Sequence, residues 1–116
     1  MSDPLLSDPL LEAGDRVRRQ VLGDAYVDGA GAPSPFRADW HAFLTRTAWG
    51  GAWARPGLDR KTRSCITLAV LATLGARDEL PLHVRGALRN GLTEEEIAEV
   101  LLHTAVYAGI LVARIL

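Results

Sequence analysis

The sequence predicts an all-α fold, a compact bundle of about five to six helices, and three observations carry it. No stretch alternates apolar and polar residues with period two over a useful length, so strands are not expected. Ile97, Val100, Leu101, Thr104, Ala105 and Ala108 instead recur at i, i+3 and i+4 spacing, which stacks them on one helical face. Patterned segments of this kind are bracketed by helix punctuation, Asp59 and Gly75 around one and Thr93 with Glu96 at the start of another.

The elements follow in chain order. Residues 1–12 repeat SDPLL at Ser2–Leu6 and Ser7–Leu11, and their prolines suit neither helix nor strand, so a tail is expected with the folded domain over 13–116. A short helix over Asp15–Leu22 presents Val17, Val21 and Leu22 and stops at Gly23. The loop Asp28–Ser34 holds glycines and Pro33. Ser34 then caps a helix that starts on Pro35, runs to about Thr47 and turns Phe36, Trp40, Phe43 and Leu44 to the core. Trp49–Leu58, WGGAWARPGL, has paired glycines and a Pro-Gly step, so an aromatic connector is expected, not regular helix. Asp59 caps a helix to Leu74, and Asp78 caps another that tolerates Pro81 in its first turn and ends at Gly91. Thr93 and Glu96 form a capping box for the last helix. The chain closes on Gly109–Leu116, apolar but for Arg114. Burying such aliphatic side chains is worth roughly 1.5–3 kcal/mol each, so a partner subunit is expected to cover them.

Bulk properties narrow the function. At 116 residues the chain is one domain. A net charge of −1 suggests neither nucleic acid nor an anionic membrane as partner. The single cysteine, Cys65, excludes an internal disulfide and a CxxC redox centre, and with no basic-then-apolar leader a cytoplasmic location is expected. The longest apolar run, Cys65–Leu74, is about half of the ~20 residues needed to span a bilayer, so it reads as a buried helix.

Chemistry concentrates at three places. Glu79 and His83 lie four residues apart on one helical face, continued by Gly86, Ala87 and Asn90, a small and polar stripe. It suits either a close-packed neighbouring helix with a satisfied histidine, or a pocket floor with an acid orienting a proton donor. Arg60, Lys61 and Arg63 crowd a helix start that already carries partial positive charge, which reads as solvent-screened cations or as an anion site. Arg63, one turn from the apolar body of its helix, is expected to point inward. Trp49 and Trp53 are expected to fill space between helices or to wall a pocket for a planar ligand. No metal is expected, because His41, His83 and His103 lie in separate helices without HxxH, HExxH or cysteine partners. Cys65, set in an apolar run, is expected to be an inert thiol, and no glycine cluster follows a strand as a phosphate loop requires.

The runs VRRQVLGDAYVD, TRTAWGGAWARPGLDRKTRSCITLAVLATLG and DELPLHVRGALRNGLTEEEIAEVLLHTAVYAGI resemble the 4-carboxymuconolactone decarboxylase family over about residues 15–110. The resemblance implies the alkylhydroperoxidase D-like helical fold and a carboxy-lyase of protocatechuate catabolism that needs no cofactor. Its substrate would be a small lactone dicarboxylate, and a trimer or hexamer of identical chains is implied. It further suggests His83 as proton donor, Glu79 as the group orienting it, and Arg63, Trp49 and Trp53 as substrate contacts. Related peroxidases of that fold carry CxxC followed by His, whereas Asp78–His83 contains no cysteine and Glu79 stands where the second would be. Family members continue past their YxG motif with a proline and a further helix, while Tyr107-Ala108-Gly109 here leads to Ile110 and an end at Leu116, so that helix is expected to be missing. The alternatives are another lactone decarboxylase or isomerase of the family, and a truncated, non-catalytic helical oligomer.

Overall fold

The computed structural model describes residues 8–31 and 34–109. The first SDPLL copy, Pro33 and the apolar end beyond Gly109 lie outside the described residues. Six α-helices and one π-helical segment account for nearly all of the rest, with no strand among the described residues. They fall into two compact units, residues 1–57 and 58–116.

In the first unit α1 spans Pro9–Leu22. It starts earlier than the tail reading allowed, because Asp8 caps it by accepting from the Leu11 N–H at 3.1 Å and Pro9 occupies the first turn, where its missing N–H is no loss. Gly23 ends it at φ 90°. A short α2, Asp24–Gly29, follows without a side-chain cap. Arg19 ties the two together, its guanidinium meeting Asp15, Asp24 and Asp28 at 3.1, 3.2 and 2.8 Å. α3 spans Pro35–Leu44, with Ser34 accepting from the Arg37 N–H.

Two expectations fail here, each for a physical reason. Phe36, Trp40 and Phe43 are 75%, 51% and 58% exposed, so the apolar face of α3 is not a core face of this chain. Periodicity identifies an apolar face but not what covers it. The tryptophan segment is also no irregular connector, since helix continues through Gly50-Gly51 as a π-helix over Thr45–Trp53, with the Ala54 N–H donating to the Trp49 carbonyl five residues back. Gly50 of this segment serves close approach. A Cβ on Gly14 of α1 would strike the Thr45 carbonyl and lie 2.7 Å from the Gly50 nitrogen, and one on Gly50 would strike the Leu10 carbonyl. α1 and the π segment thus meet backbone to backbone.

In the second unit α4 spans Arg60–Leu74, α5 Glu79–Arg89 and α6 Glu94–Ala108. Asp59 caps α4 through the Thr62 N–H at 2.7 Å, and Gly75 ends it in the left-handed region at φ 69°. Asp78, expected as the cap of α5, has helical backbone and makes no capping bond; Leu80 N–H is held by the Ala76 carbonyl instead. Leu68 and Ala72 of α4, Leu80 and Ala87 of α5, Leu92, and Ile97 and Leu101 of α6 form the core. The capping box is complete: Glu96 N–H donates to Thr93 Oγ1 at 3.0 Å and Thr93 N–H to Glu96 Oε1 at 2.9 Å. Replacing Thr93 with Ala removes one of these acceptors, so a loss of about 1 kcal/mol in urea unfolding is expected.

Candidate active site

α4 and α5 run antiparallel, and Asn90 fixes their register. Its side-chain amide donates to Ser64 Oγ at 2.8 Å and more weakly to the Arg60 carbonyl at 3.5 Å. The small stripe of α5 is therefore turned to α4: Gly86 and Ala87 are buried, and the close-packing reading of that stripe holds in place of the pocket floor. His83 sits two turns before Asn90, half-buried, while Glu79 is exposed at the first turn of the same helix. Burial lowers the His83 pKa below the ordinary histidine value, so the ring is predominantly neutral at neutral pH.

Arg63 is half-buried in the first turn of α4, with its Nε out of solvent, as its sequence position suggested. Ser64 lies opposite Asn90, so the backbone of Arg63 is offset from that of His83 by about eight residues of helix register, on the order of 12 Å along the helix axes. Arg60 is partly covered and Lys61 is exposed, consistent with solvent-screened cations at the helix start. Trp49 and Trp53 belong to the first unit, where the π-helix stacks their rings with centroids 5.0 Å apart and planes 25° apart; Trp49 is 4% exposed and Trp53 half-buried.

A cleft of about 630 Å³ lies between α4 and α6, bordered by Cys65, Ile66, Glu99, His103 and Val106. None of Trp49, Trp53, Arg63, Glu79 and His83 lines it. Burial first, then Glu96 and Asp59, push the Cys65 thiol up, which keeps it protonated and unreactive. No group of three metal-binding side chains occurs among the described residues, and no helix there is long and apolar enough to cross a membrane.

Two residues of the first unit escaped the sequence reading. Arg18 is 7% exposed, and both ring nitrogens of His41 are buried without a hydrogen-bond partner. Arg18 was legible in principle, since it interrupts the apolar stripe of Gly14, Val17, Val21 and Leu22. A single histidine on α3 carries no such signal. Burial, then Arg18 and Arg37, lowers the His41 pKa. A base with its folded pKa below its unfolded value binds more protons when unfolded, so its contribution is complete above about pH 6.5 and is lost as pH falls through that value. His83 acts in the same direction. Urea midpoints are therefore expected to fall between pH 7.5 and 5.5, and His41→Gln should flatten that dependence.

Residues 38–114 match the Carboxymuconolactone decarboxylase family. The chain is 45% identical over 98 residues to 4-carboxymuconolactone decarboxylase of Acinetobacter baylyi, covering 84% of this chain and 73% of that protein. It is 48% identical over 101 residues to nitrosuccinic acid decarboxylase of Metarhizium robertsii, covering 86% of this chain and 71% of that protein. The chain belongs to the carboxymuconolactone decarboxylase family. The family match contains Trp49, Trp53, Arg63, Glu79 and His83, and it also contains His41; Arg18 lies before it. Membership agrees with the all-α architecture.

Proposed function

We propose that this chain is a carboxy-lyase that converts 4-carboxymuconolactone to the β-ketoadipate enol-lactone in protocatechuate catabolism. The observation that carries the reading is the similarity to 4-carboxymuconolactone decarboxylase over 84% of the chain. The substrate is a butenolide with a carboxylate on its γ carbon and a carboxymethyl arm. Breaking the bond to the γ carboxylate releases CO2 and leaves an electron pair that spreads through the ring double bond to the lactone carbonyl oxygen. A proton then returns to the ring carbon beside that carbonyl. The substrate is its own electron sink, so the protein has to bind carboxylates, stabilise an enolate and supply a proton.

His83 fits the last two tasks. Its neutral ring offers an N–H to the developing enolate oxygen, and the negative charge of bound substrate raises its proton affinity for the transfer step. Glu79, one turn away, orients the ring and stabilises its charged form. Arg63 grips the carboxymethyl arm. It is not assigned to the departing carboxylate, because an ion pair there would stabilise the ground state more than the transition state. Arg63→Ala is expected to raise KM by tenfold or more with a smaller change in kcat; an unchanged KM removes Arg63 from substrate binding.

A second substrate is favoured by one observation, the 48% identity to nitrosuccinic acid decarboxylase. Nitrosuccinate also has two carboxylates and an acceptor beside the carbanion, the nitro group. Mixing the protein with each compound and following lactone absorbance or nitro-group absorbance separates them; turnover of nitrosuccinate alone would replace the lactone as substrate. Assembly into a homo-oligomer belongs to the same proposal. It is supported by the exposure of Phe36, Trp40 and Phe43 on α3, and of Leu102, Val106 and Tyr107 on α6.

A further inference from the structure

We infer that Asn90 and Ser64 are positioning residues for the reaction, the amide–hydroxyl contact between them holding α5 in the axial register on α4 that sets where the His83 ring stands against Arg63. The roles of His83 and Arg63 come from the proposed function, whereas the register rests on the contact itself. Asn90 Nδ2 donates to Ser64 Oγ at 2.8 Å, and Ser64 is 2% exposed, so water does not compete for the bond. The donor is held from behind: the Asn90 backbone N–H donates to the Gly86 carbonyl at 2.9 Å, which makes Asn90 part of the last turn of α5. Ser64 adjoins Arg63, and His83 stands seven residues before Asn90, two turns along the same face of one helix. A rigid helix carries a displacement of Asn90 to His83 undiminished.

Packing alone leaves this register weakly set. Between His83 and Asn90 the buried residues of α5 are Gly86 and Ala87, and side chains this small raise no ridge for α4 to catch. The same end of the unit carries a second close approach, since a Cβ on Gly91 would lie 3.0 Å from Lys61 Cε. Lys61 also acts on the charges of Asp59 and Glu96, whose side chains cap the starts of α4 and α6. One of the cations that crowd the start of α4 thus has a structural role at this fastened end, and Asn90 supplies the directional bond there. A hydrogen bond with its narrow range of length and angle specifies an axial position that contact between small apolar side chains does not. Misplacement by about 1 Å can cost on the order of 10²-fold in rate, so a register device of this kind bears on turnover.

Asn90→Ala, Ser64→Ala and the double variant test it, each checked for folding by circular dichroism; Ser64→Ala breaks the same contact from the other side and covers the case of an unfolded Asn90→Ala. The ring-proton resonances of His83, assigned with a His83→Gln variant, are read by NMR. They are expected to move in both single variants, although Asn90 lies about 10 Å from His83 along α5, and to stay in place in Thr93→Ala, which weakens the same end of the unit without touching the contact. On 4-carboxymuconolactone each single variant is expected to lower kcat/KM by about tenfold, through kcat and KM together, and the double variant to be no worse than either. Unmoved His83 resonances, or equal movement in Thr93→Ala, overturn the register. Moved resonances with wild-type kcat and KM overturn the positioning role, as does a double variant whose loss is the product of the two single losses, since independent packing defects multiply. A wild-type protein that turns over neither candidate substrate refutes the proposed function and the positioning role with it, and the NMR comparison still decides the register.

Discussion

Replacing His83 with Ala is expected to lower kcat on 4-carboxymuconolactone by about 10²-fold or more, the usual scale for loss of a general acid. KM should change little, because Arg63 holds the substrate in the ground state. His83 is half-buried on a helix whose neighbouring Leu80, Leu82, Gly86 and Ala87 carry the packing, so the variant is expected to keep its helical circular dichroism. His83→Gln retains a hydrogen-bond donor without a titratable proton and should fall between the two if enolate stabilisation contributes separately from proton transfer. The lowered pKa of His83 adds a pH signature. If the protonated ring is the reacting form, kcat rises as pH falls toward the pKa of the substrate complex, and His83→Gln loses that rise. A folded His83→Ala with near-normal turnover contradicts the assignment.

Gly14→Ala is expected to be the most destabilising small substitution in the first unit. Its new methyl would meet the Thr45 carbonyl and the Gly50 nitrogen, both backbone, so neither can swing aside as a flexible side chain could. Overpacking of this kind costs about 1–3 kcal/mol and occasionally more. A fall in Tm on the order of 10 °C is the expected reading. Gly50→Ala should behave alike, since its methyl would meet the Leu10 carbonyl. Gly51 is the control. Its added Cβ would come no closer than 3.6 Å to the Arg46 carbonyl oxygen, and replacing a helical glycine reduces the entropy of the unfolded chain, so Gly51→Ala is expected to be neutral or mildly stabilising. Equal effects at positions 14 and 51 would refute the backbone-contact account of the π segment.

These two substitutions also mark where sequence reasoning succeeds and where it stops. Local signals were legible: Ser34 before Pro35, Asp59 and Gly75 around α4, and the Thr93 to Glu96 box all act within one helical turn and appear as read. Asp8 with Pro9 was the same kind of signal, obscured by the surrounding SDPLL repeat. The role of Gly50 was not legible, because its requirement for glycine comes from α1, some forty residues earlier in the chain, and not from its own neighbours. Likewise the spacing of Glu79 and His83 puts them on one helix, but only the Asn90 to Ser64 hydrogen bond shows which way the stripe faces. Phe36, Trp40 and Phe43 looked like core residues because pattern reports amphipathicity, while burial depends on what lies opposite.

The central claim is that this chain breaks a carbon–carboxylate bond and returns a proton to the ring. The most direct measurement is CO2 released per 4-carboxymuconolactone consumed, run in deuterium oxide with the product examined by NMR. The account expects one CO2 per lactone and one deuterium on the carbon beside the carbonyl. Lactone consumed without CO2 would contradict it.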